Sequence, residues 1–309
     1  MLARQFYSTY FLLVLVGGFG RRVGSAVRRL IPELEVANCR VIAIDTDRAD
    51  IEVAHRDGFD DCLHVNPEGD QSFGDNRVDN IIMYPARFGG RDPNYFVDFL
   101  SNNRGSMDTL AIGAGASTRP PYGEFIFRSQ RWQICGYLRR NLDNALTHAS
   151  KVQPILVGSG GGGTSAPGIL SVAELLGTQG GLAECSNQGS DRVKKPWVAT
   201  IPPLIQSEMA DTQTFALRPL ANAYAFTHEL NLMAYEKTVE YIFRLNTQNG
   251  HGAAATTLDS AARLLADALI GIILGANTSA SSWCDTFRQV RHDPERVGLR
   301  LNHQYKDQS

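Results

Sequence analysis

The sequence predicts an α/β protein, a doubly wound and mainly parallel sheet with helices on both faces. Three observations predict it. Short apolar runs at 11–16, 40–44, 109–112, 155–157, 197–201 and 241–245 alternate with segments whose apolar residues fall three and four apart. At least four of these runs end in small or polar residues, at 17–20, 45–47, 113–117 and 158–165. Ligands in such sheets bind at the carboxyl ends of strands, so these loops are expected to converge on one crevice.

The fullest of these loops is Gly158-Ser159-Gly160-Gly161-Gly162-Gly163-Thr164-Ser165-Ala166-Pro167-Gly168. It lies between a strand, Ile155-Leu156-Val157, and an amphipathic helix beginning near Ile169. A strand-to-helix turn so poor in Cβ atoms can aim several backbone N–H groups at one oxyanion, at the positive end of a helix. Thr164 and Ser165 add hydroxyl donors, and Pro167 suits a first helical turn, where no N–H is required. A flexible Gly/Ser linker is the plain alternative. The tight flanking by strand and helix favours phosphate binding.

Composition bounds the class. The 309 residues are 43% hydrophobic and 20% charged with a formal net charge of −2, a soluble globular profile sufficient for one large or two medium domains. A pI near 6.4 gives no general drive toward nucleic acid or an acidic membrane. Cys39, Cys62, Cys135, Cys185 and Cys284 are scattered, and no Cys/His spacing suggests a metal site. Free, mostly structural thiols in a reducing cytoplasm are expected. The apolar run at 11–16 follows Arg4 as in a signal peptide, but it is too short to span a bilayer and reads as a buried first strand.

In order, residues 17–20 form a glycine turn, 21–34 a helix with Val23, Ala26, Val27 and Leu30 on one face, and 40–44 a strand ending in Asp45-Thr46-Asp47. This βαβ outline also suits a dinucleotide fold, although Gly18-x-Gly20-x-x-x-Gly24 departs from GxGxxG. Residues 55–105, rich in Asp, Asn, Gly and Pro, read as loops and short surface elements. A strand at 109–112 leads to Gly113-Ala114-Gly115-Ala116-Ser117, and 128–149 reads as one long helix. Residues 177–195 form a polar connection, 197–201 a strand, 220–234 a helix and 241–245 a strand. The apolar helix 256–275 reads as a core element, because Asp259, Arg263 and Asp267 interrupt it. Beyond it the pattern fades, with one more possible strand at 297–301. Two domains are expected: a nucleotide-binding domain at 1–275 and a short extension at 276–309. No GxxxxGK[ST] is present, so this is not a Walker P-loop.

At this point the sequence resembles the tubulin/FtsZ superfamily over roughly residues 11–275. Gly17, Gly18, Phe19 and Gly20 resemble its first phosphate loop, and Asp45, Thr46 and Asp47 resemble the segment reading NTD or DTD in relatives. Gly113, Ala114, Gly115, Ala116 and Ser117 are similar to the loop that senses the γ-phosphate. Gly160, Gly161, Gly162, Gly163, Thr164 and Ser165 cover the first part of the GGGTGSG signature, which here departs into Ser165-Ala166-Pro167-Gly168. Asn246 and Asn249 sit where the family places its guanine-reading asparagine, and Asn222 in the helix after the sugar-contacting loop.

The resemblance implies GTP or GDP held by backbone N–H groups and hydroxyls, with Mg²⁺ bridging phosphates and Asp45 and Asp47 placed to position it or to cap a helix. It implies self-association into dimers or protofilaments, with assembly-dependent hydrolysis and weak or no activity alone. Asp285, Asp293 and Glu295 are the acids at a plausible distance beyond the last helix, and none is assigned a catalytic role. No nucleic-acid partner and no membrane span are expected. Two other readings stand: an NAD(P)-dependent oxidoreductase using Gly18, Gly20 and Gly24 with Asp45 on the ribose, and a non-catalytic tubulin-like scaffold that has lost its ligand.

Overall fold

A computed structural model describes residues 7–31, 38–65, 116, 120–185, 191–201, 213–245, 255 and 257–278. Its strands are β1 (Tyr7–Val16), β2 (Cys39–Asp45), β3 (Asp61–His64), β4 (Ala149–Ser159), β5 (Trp197–Ile201) and β6 (Tyr241–Arg244). Its helices are α1 (Gly17–Leu30), α2 (Arg48–Arg56), α3 (Pro120–Ser129), α4 (Arg131–Leu146), α5 (Ser165–Gly177), α6 (Gln179–Cys185), α7 (Gln213–Tyr235) and α8 (Leu258–Thr278). The strands form one sheet in the order β3-β2-β1-β4-β5-β6, and every neighbouring pair is parallel. The predicted doubly wound architecture is present.

Alternation along the strands divides the interior in two. From β1, Leu12, Val14 and Val16 join a core with Phe125 and Phe127 of α3, Leu138 and Leu142 of α4, Ile169 of α5 and Leu230 of α7. Phe11, Leu13 and Leu15 face the other way, toward Val23 and Val27 of α1, Ile51 of α2, and Leu265 and Leu269 of α8. Each such side chain contributes about 1.5–3 kcal/mol by leaving water. Because β1 is covered on both faces, it reads as an unbroken apolar run, as central parallel strands do. The N-terminal run is therefore a buried strand, as expected. Among the described residues, no helix is long and apolar enough to cross a membrane.

The topology fixes where a ligand would sit. The chain moves outward from β1 through β2 to β3, then returns to the opposite side of β1 with β4. The sheet's switch point therefore lies between β1 and β4. Register keeps the strand ends level, with Leu15 opposite Val157 on β4 and Val16 opposite Ile44 on β2. The connections leaving β1, β2 and β4 consequently emerge side by side.

Several elements differ from expectation. Residues 17–20 are not a turn but the first turn of α1, entered directly from β1. Only the left-handed φ of Gly17, +74°, allows so abrupt a change of direction. The helix predicted at 128–149 is two helices broken at Gln130, and its last residue, Ala149, already pairs with Tyr7 in the sheet. Strand pairing overrides the continuous helical period there. Just before the stretch assigned to loops, α2 is capped by Asp47, whose carboxylate accepts the N–H of Ala49 at 2.9 Å, and β3 lies within that stretch. The short helix α6 occupies part of the predicted polar connection, and α7 begins at Gln213 rather than Leu220, with Pro219 inside it. The expected strands at 109–112 and 297–301 lie outside the described residues.

Candidate functional site

The glycine loop runs from the end of β4 to the first turn of α5, lying against the N-terminus of α1. Neither helix carries an acidic residue in its first turn. Two helix N-termini thus meet at the switch point, and the leading N–H groups of each have no intrahelical partner by position. Helical pairing in α5 begins with Gly168, whose N–H donates to the Thr164 carbonyl at 3.0 Å. Pro167 stands in the first turn with no N–H to satisfy, as the sequence suggested.

Close packing, rather than unusual φ, explains Gly158 and Gly160. A Cβ at Gly158 would lie 2.8 Å from the Val16 carbonyl oxygen and against the Ser165 hydroxyl, and one at Gly160 would lie 2.6 Å from the Phe226 ring of α7. The loop is tied at both ends by its own serines. The Ser159 N–H donates to Ser165 Oγ at 2.7 Å, and the Gly161 N–H donates to Ser159 Oγ at 3.3 Å. From α7, Asn222 Nδ2 donates to the Gly161 carbonyl at 3.2 Å. From the end of β2, the Thr46 and Thr164 hydroxyls pair at 2.6 Å.

These contacts revise the roles of two hydroxyls. Ser165 is buried, and its Oγ accepts a backbone N–H instead of facing the crevice. Its side chain fills the space beside Gly17, where an added Cβ would stand 3.0 Å from Ser165 Cβ and 3.2 Å from its backbone nitrogen. Thr164 is engaged with Thr46. The altered signature thus builds a cradle braced by side chains, with backbone N–H groups as its donors.

Not every expected residue reaches the site. Phe19 packs in the core shared with α2 and α8, and Gly20 faces the Val157 carbonyl, 2.7 Å from where a Cβ would stand. Gly18 lies against Asp50, whose carboxylate holds Arg21 at 2.6 Å. Ala116 is buried in the core on the α3 and α4 side. Gly113, Ala114, Gly115, Ser117, Asn246 and Asn249 lie outside the described residues, as do Cys284, Asp285, Asp293 and Glu295. Ser159 and Phe226 belong to the site and were not among the residues expected there. Ser159 alone carried a signal, as the one hydroxyl residue before the glycine run.

Asp45 is buried at the end of β2. One of its oxygens accepts the Asp47 N–H at 3.0 Å, while the other has no partner among the described residues. Burial pushes its carboxyl up to about 7, with the Asp47 N–H opposing the shift. Beside it, His64 Nε2 lies 3.2 Å from the Thr46 carbonyl oxygen. Asp47 is occupied in capping α2. Among the described residues, no group of three His, Cys, Asp or Glu side chains converges to hold a metal ion.

No protein-family model and no curated protein matches the sequence. Solved structures do. CetZ2 from Haloferax volcanii, determined as a GTPγS-bound protofilament, superposes with a TM-score of 0.53 over 92% of this chain, at 15% sequence identity. The fold is that of the tubulin/FtsZ superfamily. CetZ from Methanosaeta thermophila shares this tubulin/FtsZ-like fold with a TM-score of 0.50 over 91% of this chain, at 16% identity. The chain spans 63% and 59% of the length of those two proteins. An empty FtsZ dimer from M. jannaschii matches with a TM-score of 0.47 at 13% identity, covering 85% of this chain and 54% of its own.

Proposed function

We propose that the protein binds a guanine nucleotide, with its phosphates held at the β1/β4 switch point. The observation that carries this reading is the meeting of two helix N-termini, α1 at Gly17 and α5 at Ser165, across a loop of glycines tied down by Ser159, Ser165 and Asn222. The described residues fit the phosphates through backbone donors at the first turns of α1 and α5 and at Gly160 and Gly163, since the Gly161 and Gly162 N–H groups already donate to Ser159. The resemblance to a GTPγS-bound relative supports guanosine over other nucleosides. Asn246 and Asn249 remain the residues proposed to read the base. Mg²⁺ fits as an ion carried on phosphate oxygens and water rather than in a protein cage. When bound, it would neutralise phosphate charge.

Self-association is proposed as well, supported by the same likeness, since that protein was solved as a protofilament. Hydrolysis is proposed to be slow in the isolated chain. The oxidoreductase reading loses its glycine argument, because Gly20 and Gly24 are explained by close packing of α1 on β4 and β1. The scaffold reading retains one specific support, the buried Ser165 side chain packed against Gly17 where α1 and α5 meet.

Equilibrium binding of labelled GTP, ATP and NAD, each with and without Mg²⁺, tests the proposal. GTP is expected to bind preferentially and more tightly with Mg²⁺. Ser165→Gly should tighten that binding by roughly tenfold as the N–H groups become more open, while losing about 1–2 kcal/mol of stability as the Ser159 N–H loses its acceptor. Binding of NAD alone contradicts the reading. Absence of GTP binding in both proteins leaves the fold as a scaffold.

A further inference from the structure

We propose that Cys135 and Cys185 form a redox-modifiable dithiol, which hydrogen peroxide converts to an intramolecular disulfide. The two residues stand 50 positions apart in sequence, but the fold brings their sulfurs to 3.0 Å, with the Cys185 S–H directed at Cys135 Sγ. No disulfide joins them, and both are buried. Cys135 lies on α4 and Cys185 is the last residue of α6, and Leu138 and Leu182 of the same helices share their core. Packing therefore holds the pair together in the folded state. Scattered in sequence, these two cysteines are neighbours in the fold.

The sheet isolates this pair from the other described thiols. Cys39 and Cys62 belong to the core on the opposite face, with α1, α2 and α8. Among the described thiols, a disulfide formed in the native protein is therefore specific to Cys135 and Cys185. The pair is buried, which favours a small oxidant over a bulky disulfide.

The chemistry balances with one equivalent of peroxide. Cys135 attacks a peroxide oxygen as the thiolate, the O–O bond breaks, and the departing hydroxide leaves as water with the proton that Cys135 released. Cys135 is then a sulfenic acid. The Cys185 sulfur attacks the Cys135 sulfur, the S–O bond breaks, and the second hydroxide leaves as water with the Cys185 proton. The two sulfurs are oxidised and the peroxide is reduced. The new bond links α4 to α6 and closes a loop containing β4, the whole glycine loop and α5. Such closure restricts the unfolded chain and stabilises the fold.

Treatment of the native protein with hydrogen peroxide tests this directly. The expected product has lost about 2 Da, the mass of two hydrogens. Its free thiols fall by two from the five in the chain, and a proteolytic digest joins the Cys135 peptide to the Cys185 peptide. Its Tm rises by roughly 5–10 °C and returns on reduction with dithiothreitol. Cys135→Ala and Cys185→Ala each abolish the mass loss, and circular dichroism establishes that each variant is folded. Three results in wild-type protein overturn the proposal: unchanged thiols, a gain of about 16 Da per oxygen without a cross-link, or a cross-link joining any other pair of cysteines.

Discussion

Gly17→Ala is expected to lower stability by about 2–3 kcal/mol and to weaken nucleotide binding beyond detection. Two separate costs meet at this residue. Its φ of +74° is left-handed, a region that costs an L-residue about 1–2 kcal/mol. The added methyl would also stand 3.0 Å from Ser165 Cβ and 3.2 Å from the Ser165 backbone nitrogen, shielding a leading N–H of α5. Adding Ser165→Gly removes the first of those contacts but leaves the backbone strain and takes away the acceptor of the Ser159 N–H, so the double variant should be destabilised by less than the sum of the two single variants. Urea denaturation measures both, and titration with labelled GTP measures the binding. A Gly17→Ala protein within about 0.5 kcal/mol of wild type would show that the sharp entry into α1 does not depend on glycine.

Asp45→Asn is expected to stabilise the protein at pH 8 and to have little effect on stability near pH 4. The sign follows from burial. The carboxyl titrates near 3.8 when unperturbed and at about 7 in the folded chain, so the native state binds this proton more tightly than the unfolded state does. Asp45 therefore contributes most favourably below about pH 4. That contribution is lost as pH rises through about 7, and above this the ionised carboxylate is a net cost. The full difference is on the order of 4 kcal/mol at 1.36 kcal/mol per unit. Asparagine keeps an oxygen for the Asp47 N–H but carries no charge. Urea midpoints of both proteins from pH 4 to pH 8 provide the check. A constant offset between the two curves, with no growth toward high pH, would contradict the assignment.

Much of the sheet was legible because its central strands are covered on both faces. β1 appears as an unbroken apolar run from Phe11 to Val16, β5 as an apolar run broken by Thr200, and the strand preceding the glycine loop as Ile155-Leu156-Val157. β3 left no such mark, since all four of its residues are only half-buried at the sheet's edge. The break between α3 and α4 was hidden by apolar residues continuing on both sides of Gln130. Local propensity misled at 17–20, where three glycines in four residues suggest a turn and packing against β1 and β4 makes a helix.

The candidate site was legible in its backbone and less so in its side chains. The glycine run, Pro167 and the threonine of each loop could be read in order along the chain. Which hydroxyl turns inward could not, because the Thr46–Thr164 contact depends on strand register across β2, β1 and β4. Ser165 looked like a ligand donor because the sequence does not reveal that the Ser159 N–H at the end of β4 requires an acceptor. Phe226 of α7 was not singled out in the sequence, yet it closes one side of the loop at Gly160.

The most direct test follows the backbone amides by proton–nitrogen correlation spectra while GTP and Mg²⁺ are added. The account predicts that the amides of Gly17, Gly160, Gly161, Gly162, Gly163 and Ser165 shift together and saturate with one affinity. Guanosine, which carries no phosphate, should leave them in place. Saturable GTP binding that leaves these amides unmoved would contradict the account, because the nucleotide would then be held away from the β1/β4 crevice.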